Sequence, residues 1–359
     1  MRSRLRSVFV LLLTVGLLAF FLRNADMAAV WAETRRANPV QLVLAIVATL
    51  STYVLRAVRW QYLLAPIGPT RFSTAFRTTV IGFAASFLLP ARAGEVIRPY
   101  LLARREQLSA TAAFATIILE RLLDLVIVLL LFAVFVFTGA AGVVAGDPGR
   151  LSRVTFGGTM AAGAAVLALA ALFALAGHPE RIGRLALRIE AVLPARLARA
   201  VARFVETFAQ GLAVMRQPGR LAVALFLSFP LWLSICAGIW LTSRAFHIEY
   251  PFVASFLVLT ILVVGVAVPT PGAVGGFHAA YQIAVQTFFS APTDRAVGGA
   301  IVLHAISFVP VTLLGLAFML AEGLTLDTAR KLARDGSASG SGDRAPDVAP
   351  PVEGRAGAR

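Results

Sequence analysis

Residues 83–105 read FAASFLLPARAGEVIRPYLLARR, and the placement of charge in this stretch decides the fold. Apolar residues run up to Pro90. Arg92, Glu95 and Arg98 then cluster around Gly94, with apolar sequence on both sides. Charge inside a lipid-soluble segment is expensive unless it lines a cavity or meets a partner. Pro90 and Gly94 break the helix where the charges sit, and a broken helix at membrane depth is tolerated only where protein or water satisfies the freed backbone groups. The stretch therefore reads as a membrane-embedded site and not as a lipid-facing span.

Working outward, the composition agrees. The chain is 58% hydrophobic and 14% charged, where an ordinary soluble domain carries about 25% charged residues. Its apolar runs are long enough for a hydrocarbon core of about 30 Å, which takes roughly 20 helical residues. The expected fold class is an all-α polytopic membrane protein. Cys236 lies in an apolar run and is the only cysteine, so no intrachain disulfide forms. Nearly all of the basic excess behind the net charge of +15 is arginine. In a membrane protein that excess points to cytoplasmic loops and anionic lipid headgroups, not to nucleic acid.

Six full spans are expected, at about 8–22, 40–58, 109–138, 155–176, 221–243 and 297–321. Arg2, Arg4 and Arg6 precede the first, and Arg23, Asn24 and Asp26 follow it in place of a small-residue cleavage site, so it reads as an uncleaved helix with its N-terminus inside. Arg56, Arg59 and Trp60 end the second span and suit the interface. Residues 178–220 alternate arginine with apolar residues at a period near 3.6, as expected for a basic amphipathic segment on the cytoplasmic surface. After 325 the tail is rich in Gly, Ser, Ala, Pro and charge and reads as disordered. No stretch outside the membrane reads as a soluble catalytic domain.

Two pairs of shorter segments remain, 72–90 with 94–105 and 252–268 with 279–289. Each bends at a proline–glycine break, the second at VPTPGAVGGFH, residues 268–278. With arginines held inside, the first pair starts and ends inside and the second starts and ends outside. The alternative is that 72–90 and 252–268 are themselves full spans. Residues 8–138 and 155–321 then share the order span, span, hairpin, span in opposite orientations. Such inverted repeats with broken helices belong to transporter folds. Both termini are expected on the cytoplasmic side of a bacterial-type inner membrane.

Arg92, Glu95 and Arg98 recur every three residues and share a face if the second arm is helical. They suit a phosphate or another anionic headgroup, or else an internal salt bridge pinning the hairpin tip. Glu120, Arg121 and Asp124 lie about eleven residues into their span, roughly 16 Å deep. Glu120 and Asp124 share a face, Arg121 points elsewhere, and the expected partners of the carboxylates are Arg92 or Arg98. The group reads as substrate-binding, as a buried ion network, or as a proton-coupling site. Pro269, Pro271, Gly272, Gly275 and Gly276 let the backbone unwind and another element approach. Freed N–H groups there suit an anion, and a plain kink is the alternative. His278 and His304 are candidates for substrate contact or simple interior hydrogen bonding. The histidines at 178, 247, 278 and 304 lack metal-ligand spacing, so no metal is expected. No cofactor is expected either, since there is no nucleotide-binding glycine loop and no GxSxG nucleophile.

The motifs RxxRW at 56–60, LLPARAGEVIRPYLL at 88–102, ERLLDL at 120–125 and PTPGAVGGFH at 269–278 are together similar to the flippase-like membrane domain of the lysylphosphatidylglycerol synthase transmembrane family. The resemblance covers about residues 5–325. It implies a translocase for a lipid or lipid-linked substrate, such as an anionic phospholipid or a polyprenyl-phosphate-linked intermediate. It does not imply the synthase activity, which in the bifunctional members belongs to a following soluble domain. Many relatives carry glutamate where His278 stands. The competing expectation is a membrane-embedded transferase, or its accessory subunit, with Glu95 or Glu120 as base.

Overall fold

In the computed structural model the described residues are 2–89, 92–138, 212–268 and 270–323, with scattered positions between 149 and 208. They form helices and turns, with no strand among them. We number the long helices α1 (Arg2–Leu22), α2 (Met27–Arg36), α3 (Pro39–Leu64), α4 (Phe72–Leu88), α5 (Gly94–Glu106), α6 (Ala110–Phe137), α7 (Pro218–Ala245), α8 (Ser255–Ala267), α9 (Gly276–Phe289) and α10 (Thr293–Ala321).

The helix ends follow local chemistry. Asn38 caps α3, accepting from the amides of Val40 and Gln41, and Pro39 takes the first turn. Asp26 caps α2 in the same way, and Ser109 caps α6 through the amide of Ala112. α2 was not expected. The first apolar run bends by 75° after Leu22 into this short helix, which ends in Arg35 and Arg36 and docks on α10 through Arg295 and Glu33 at 3.1 Å. α3 also runs six residues beyond the expected end at 58.

Helices α3, α7 and α10 are long and apolar enough to cross a membrane, and α1 with α2 forms a bent fourth candidate. α6 has 28 residues and carries the ERLLDL charges in its middle. Of the remaining segments, much of 155–176 and most of 178–220 lie outside the described residues, as does the tail beyond 323. Where the amphipathic segment becomes visible, Leu212, Val214 and Met215 are buried in the core, and 218–220 already belong to α7.

The core has two main parts. One joins α6 to α10 around Phe135, Leu257, Tyr281 and Phe308. The other gathers Trp60, Leu63, Leu102, Leu119 and Met215 beneath the first hairpin. Val43, Val47, Phe226, Leu313 and Leu320 stay exposed, as a surface facing hydrocarbon allows. α3 lies along α7, where the missing side chain of Gly238 admits Thr49 and Ala45.

α4 folds back on α5, and α8 on α9. Each hairpin closes on a pair of glycines. A Cβ on Gly94 would sit 1.8 Å from the carbonyl oxygen of Gly82, and one on Gly276 would sit 2.5 Å from that of Gly265. Pro90, Ala91 and Pro269 fall outside the described residues. Gly94 is not in the first break but opens α5. The kink within the second break is carried by Gly272 and Gly275, with φ of 59° and 86°. The two tips meet: the guanidinium of Arg92 donates to the carbonyl of Val266, and the 271–273 turn packs on α4.

Candidate functional site

Helix α6 brings Glu120 and Asp124 to one buried face, as their spacing requires. Opposite stands a set of guanidinium groups. Arg98 of α5 grips Glu120 with both terminal nitrogens, at 2.9 and 3.2 Å. Arg59 of α3 donates to Asp124 at 2.6 Å and to Ser228 at 2.8 Å, and lies 3.3 Å from Glu120. Arg56, one turn earlier, meets Asp124 at 3.3 Å and Glu120 at 3.7 Å. Trp232 of α7 donates its indole N–H to Asp124 at 2.9 Å. Three helices thus converge on two carboxylates of a fourth. The Arg98 guanidinium also lies over the Trp60 ring at 3.9 Å, a contact strengthened by desolvation.

The expected pairing holds for Arg98 and fails for Arg92. Arg92 sits before α5 with φ of 51°, so it does not share a helical face with Glu95 and Arg98. It is exposed and reaches across to Val266. Asp124 therefore takes its cations from α3. Arg56, Arg59 and Trp60 face the protein interior: they are 6%, 0% and 0% exposed. Their spacing at 56, 59 and 60 keeps them on one face of α3, toward Thr116 and Asp124 of α6. The RxxRW motif was the available signal. Arg121 does not find a separate partner either. Its long side chain curls back to Glu120 at 3.4 Å and Asp124 at 3.6 Å.

A cavity of about 140 Å³ lies between the hairpin tips. A single water needs about 10–15 Å³ of such space, so a phosphate-sized group with several waters fits. Arg92, Glu95, Arg98 and Arg121 line it, with Ser86 and Thr270 as further polar groups and Phe83, Phe87, Val266 and Phe308 as apolar wall. Glu95 is half-buried and has no ion pair among the described residues. Arg98 is 3% exposed and keeps its Nε unpartnered, as Arg121 does.

The second break contributes differently from expectation. Thr270 and Ala273 face the cavity, whereas Pro271, Gly272, Gly275, Gly276 and His278 do not line it. His278 accepts from the Gly275 amide at 3.3 Å through Nδ1. His304 of α10 donates from Nε2 to the Gly272 carbonyl at 2.8 Å. The two imidazoles lie 4.5 Å apart, and His304 stacks on Phe308 at 4.3 Å. Twenty-six residues separate these histidines in sequence, and only the packing of α9 on α10 joins them.

The geometry defines an integral membrane protein with a charged, cavity-bearing centre built on two broken hairpins. The chain belongs to the lysylphosphatidylglycerol synthase TM region family, whose model matches residues 7–315. It is 25% identical to the glycosyltransferase AglD of Haloferax volcanii over 343 residues, covering 89% of this chain and 55% of that protein. It is 29% identical to a UPF0104 membrane protein of Methanocaldococcus jannaschii over 102 residues, covering 28% of this chain and 30% of that protein. The matched regions span about half or less of the length of these curated relatives.

Proposed function

We propose that this protein is a flippase-like translocase that carries the anionic headgroup of a phospholipid or of a polyprenyl-phosphate-linked intermediate across a bacterial-type inner membrane. The observation that carries the reading is the charge balance at the hairpin tips. Arg56, Arg59, Arg98 and Arg121 face Glu120 and Asp124, which leaves two positive charges in excess. Arg92 and Glu95 at the cavity cancel one another and do not change that excess. Uncompensated charge at membrane depth is expensive. The anionic phosphate of such a lipid offsets that excess in part or in full. Arginine forks suit its oxygens, and the phenylalanine wall leaves an apolar side for the lipid chain.

The packing supports an inverted repeat. α3 and α7 occupy equivalent places and lie along each other. α4 packs on α10 as α8 packs on α6, and α5 packs on α6 as α9 packs on α10. The glycine closures at Gly82 with Gly94 and at Gly265 with Gly276 stand at matching helix positions. At 13, 13 and 14 residues, α5, α8 and α9 are short of a span, and α4 at 17 only reaches its lower limit. This favours two re-entrant hairpins, entering from opposite faces and meeting near the midplane. On this reading six spans complete the fold, both termini are cytoplasmic, and the chain is a carrier and not an enzyme.

The test is headgroup accessibility in liposomes reconstituted with the full chain. Arg98→Ala and the milder Arg121→Gln should abolish translocation at matched protein level, while Arg36→Gln on the exposed end of α2 should not. Equal transport by wild type and both cavity variants removes the site.

The likeness to a protein named a glycosyltransferase favours a second reading, a membrane part serving a lipid-modifying transferase. Glu95 is then the better base, because guanidinium groups already occupy the oxygens of Glu120. Covalently altered lipid released by the reconstituted chain without added protein would decide for it.

A further inference from the structure

A second basic pocket lies at the other end of the first hairpin. Arg71, Ser73, Thr74, Arg77, Arg105 and Glu322 line it, around a volume of about 360 Å³. Arg105 stands seven residues beyond Arg98 on α5, about 10 Å along the helix from the central network, so the two sites are separate.

The charges here are only partly balanced. Arg105 is held by Glu322 of the segment after α10. Arg71 meets Glu106 at 3.4 Å, but its side chain is 74% exposed, and such pairs are weak. Arg77 has no carboxylate partner among the described residues and rests over the Phe318 ring at 5.7 Å. The pocket also receives the start of α4. No side chain caps that helix, and its first turn holds no acid, so its leading N–H groups are free to meet an anion. Thr74 is 5% exposed and lines the pocket, and its hydroxyl has no partner among the described residues. Beside the donors, Phe72 is 42% exposed and stacks on Phe76 at 5.8 Å. A soluble-anion site has no use for an exposed aromatic ring. A site at the lipid boundary does, because basic donors and apolar rings there meet a headgroup and its acyl chains together.

We infer that this pocket binds the phosphate of an anionic phospholipid, which braces the base of the first hairpin against the end of α10. Arg71 and Arg77 supply the charge, Ser73, Thr74 and the α4 amides supply hydrogen bonds, and Phe72 lies along the chains. The inference is independent of the transported cargo.

Native mass spectrometry of the full chain, released from mild detergent with phosphatidylglycerol or phosphatidylcholine, tests it. Wild type should retain phosphatidylglycerol in preference. R71Q and R77Q should each lower retention about fivefold, the worth of one arginine near an anionic surface. R104Q, on the exposed neighbour outside the pocket, should leave it unchanged. R121Q separates the central cavity, and the lipid lost in the R71Q/R77Q double variant should persist in it. Unchanged retention in the double variant overturns the site. So does loss only in R121Q. Displacement of the lipid by millimolar inorganic phosphate also overturns it, by assigning the pocket to a soluble anion.

Discussion

Glu120 is the group on which the centre of the molecule turns. Its oxygens lie 2.9 Å from Arg98, 3.3 Å from Arg59, 3.4 Å from Arg121 and 3.7 Å from Arg56. In Glu120→Ala the four guanidinium groups would face Asp124 alone. Removing one partner of a buried ion pair costs about 3–5 kcal/mol, against a usual total stability of about 5–15 kcal/mol. An uncharged hydrogen bond between membrane helices is worth far less, about 0.6 and at most about 1.7 kcal/mol. The size of the loss therefore distinguishes a charged network from ordinary polar contacts. Reversible unfolding in mixed micelles gives the number. Trp60 under Arg98 and Trp232 on Asp124 supply a fluorescence signal from the network itself. Arg98→Ala should cost a similar amount, and the double variant clearly less than the two losses added, by about 1 kcal/mol or more, since contacting residues are not additive. A loss below about 1.7 kcal/mol for Glu120→Ala, or strict additivity with Arg98→Ala, would falsify the assignment of these groups as one ion network.

The hairpin closures make a second expectation. Gly94→Ala and Gly276→Ala each push a methyl group into backbone 1.8 and 2.5 Å away, so both should destabilise by about 1–3 kcal/mol or more, while Gly16→Ala, inside α1 with nothing within 4 Å, should not destabilise in the same unfolding assay. His304→Ala should leave the Gly272 carbonyl without its donor and lower stability by about 1–3 kcal/mol; an unchanged midpoint would show that the second break is held by the glycine closure alone. Topology is open to cysteine labelling in a Cys236→Ser background. Ser152→Cys should react from outside intact cells and Ser337→Cys should not, and the reverse pattern would overturn the orientation drawn from the arginine distribution.

Much of this protein was legible in its residues. Long apolar runs bounded by arginine set the membrane class, because the hydrocarbon thickness leaves few alternatives. The arms 72–90 and 94–105 were readable to within a residue or two of α4 and α5, since proline, glycine and a burst of charge end helices for local reasons. The shared face of Glu120 and Asp124 followed from the 3.6-residue period alone. Partner choice was not local. The cations that hold Asp124 come from α3, 65 and 68 positions away. The same RxxRW spacing serves an interfacial anchor or a buried clamp, depending on what packs against that face of the helix. Arg92 left its neighbours because one left-handed residue ahead of α5 turned it toward the opposite hairpin. His278 and His304 met because α9 packs on α10. Sequence periodicity fixes which face a side chain takes on its own helix. Which helix stands opposite that face, and so which charge finds which partner, is decided only when distant segments are packed together.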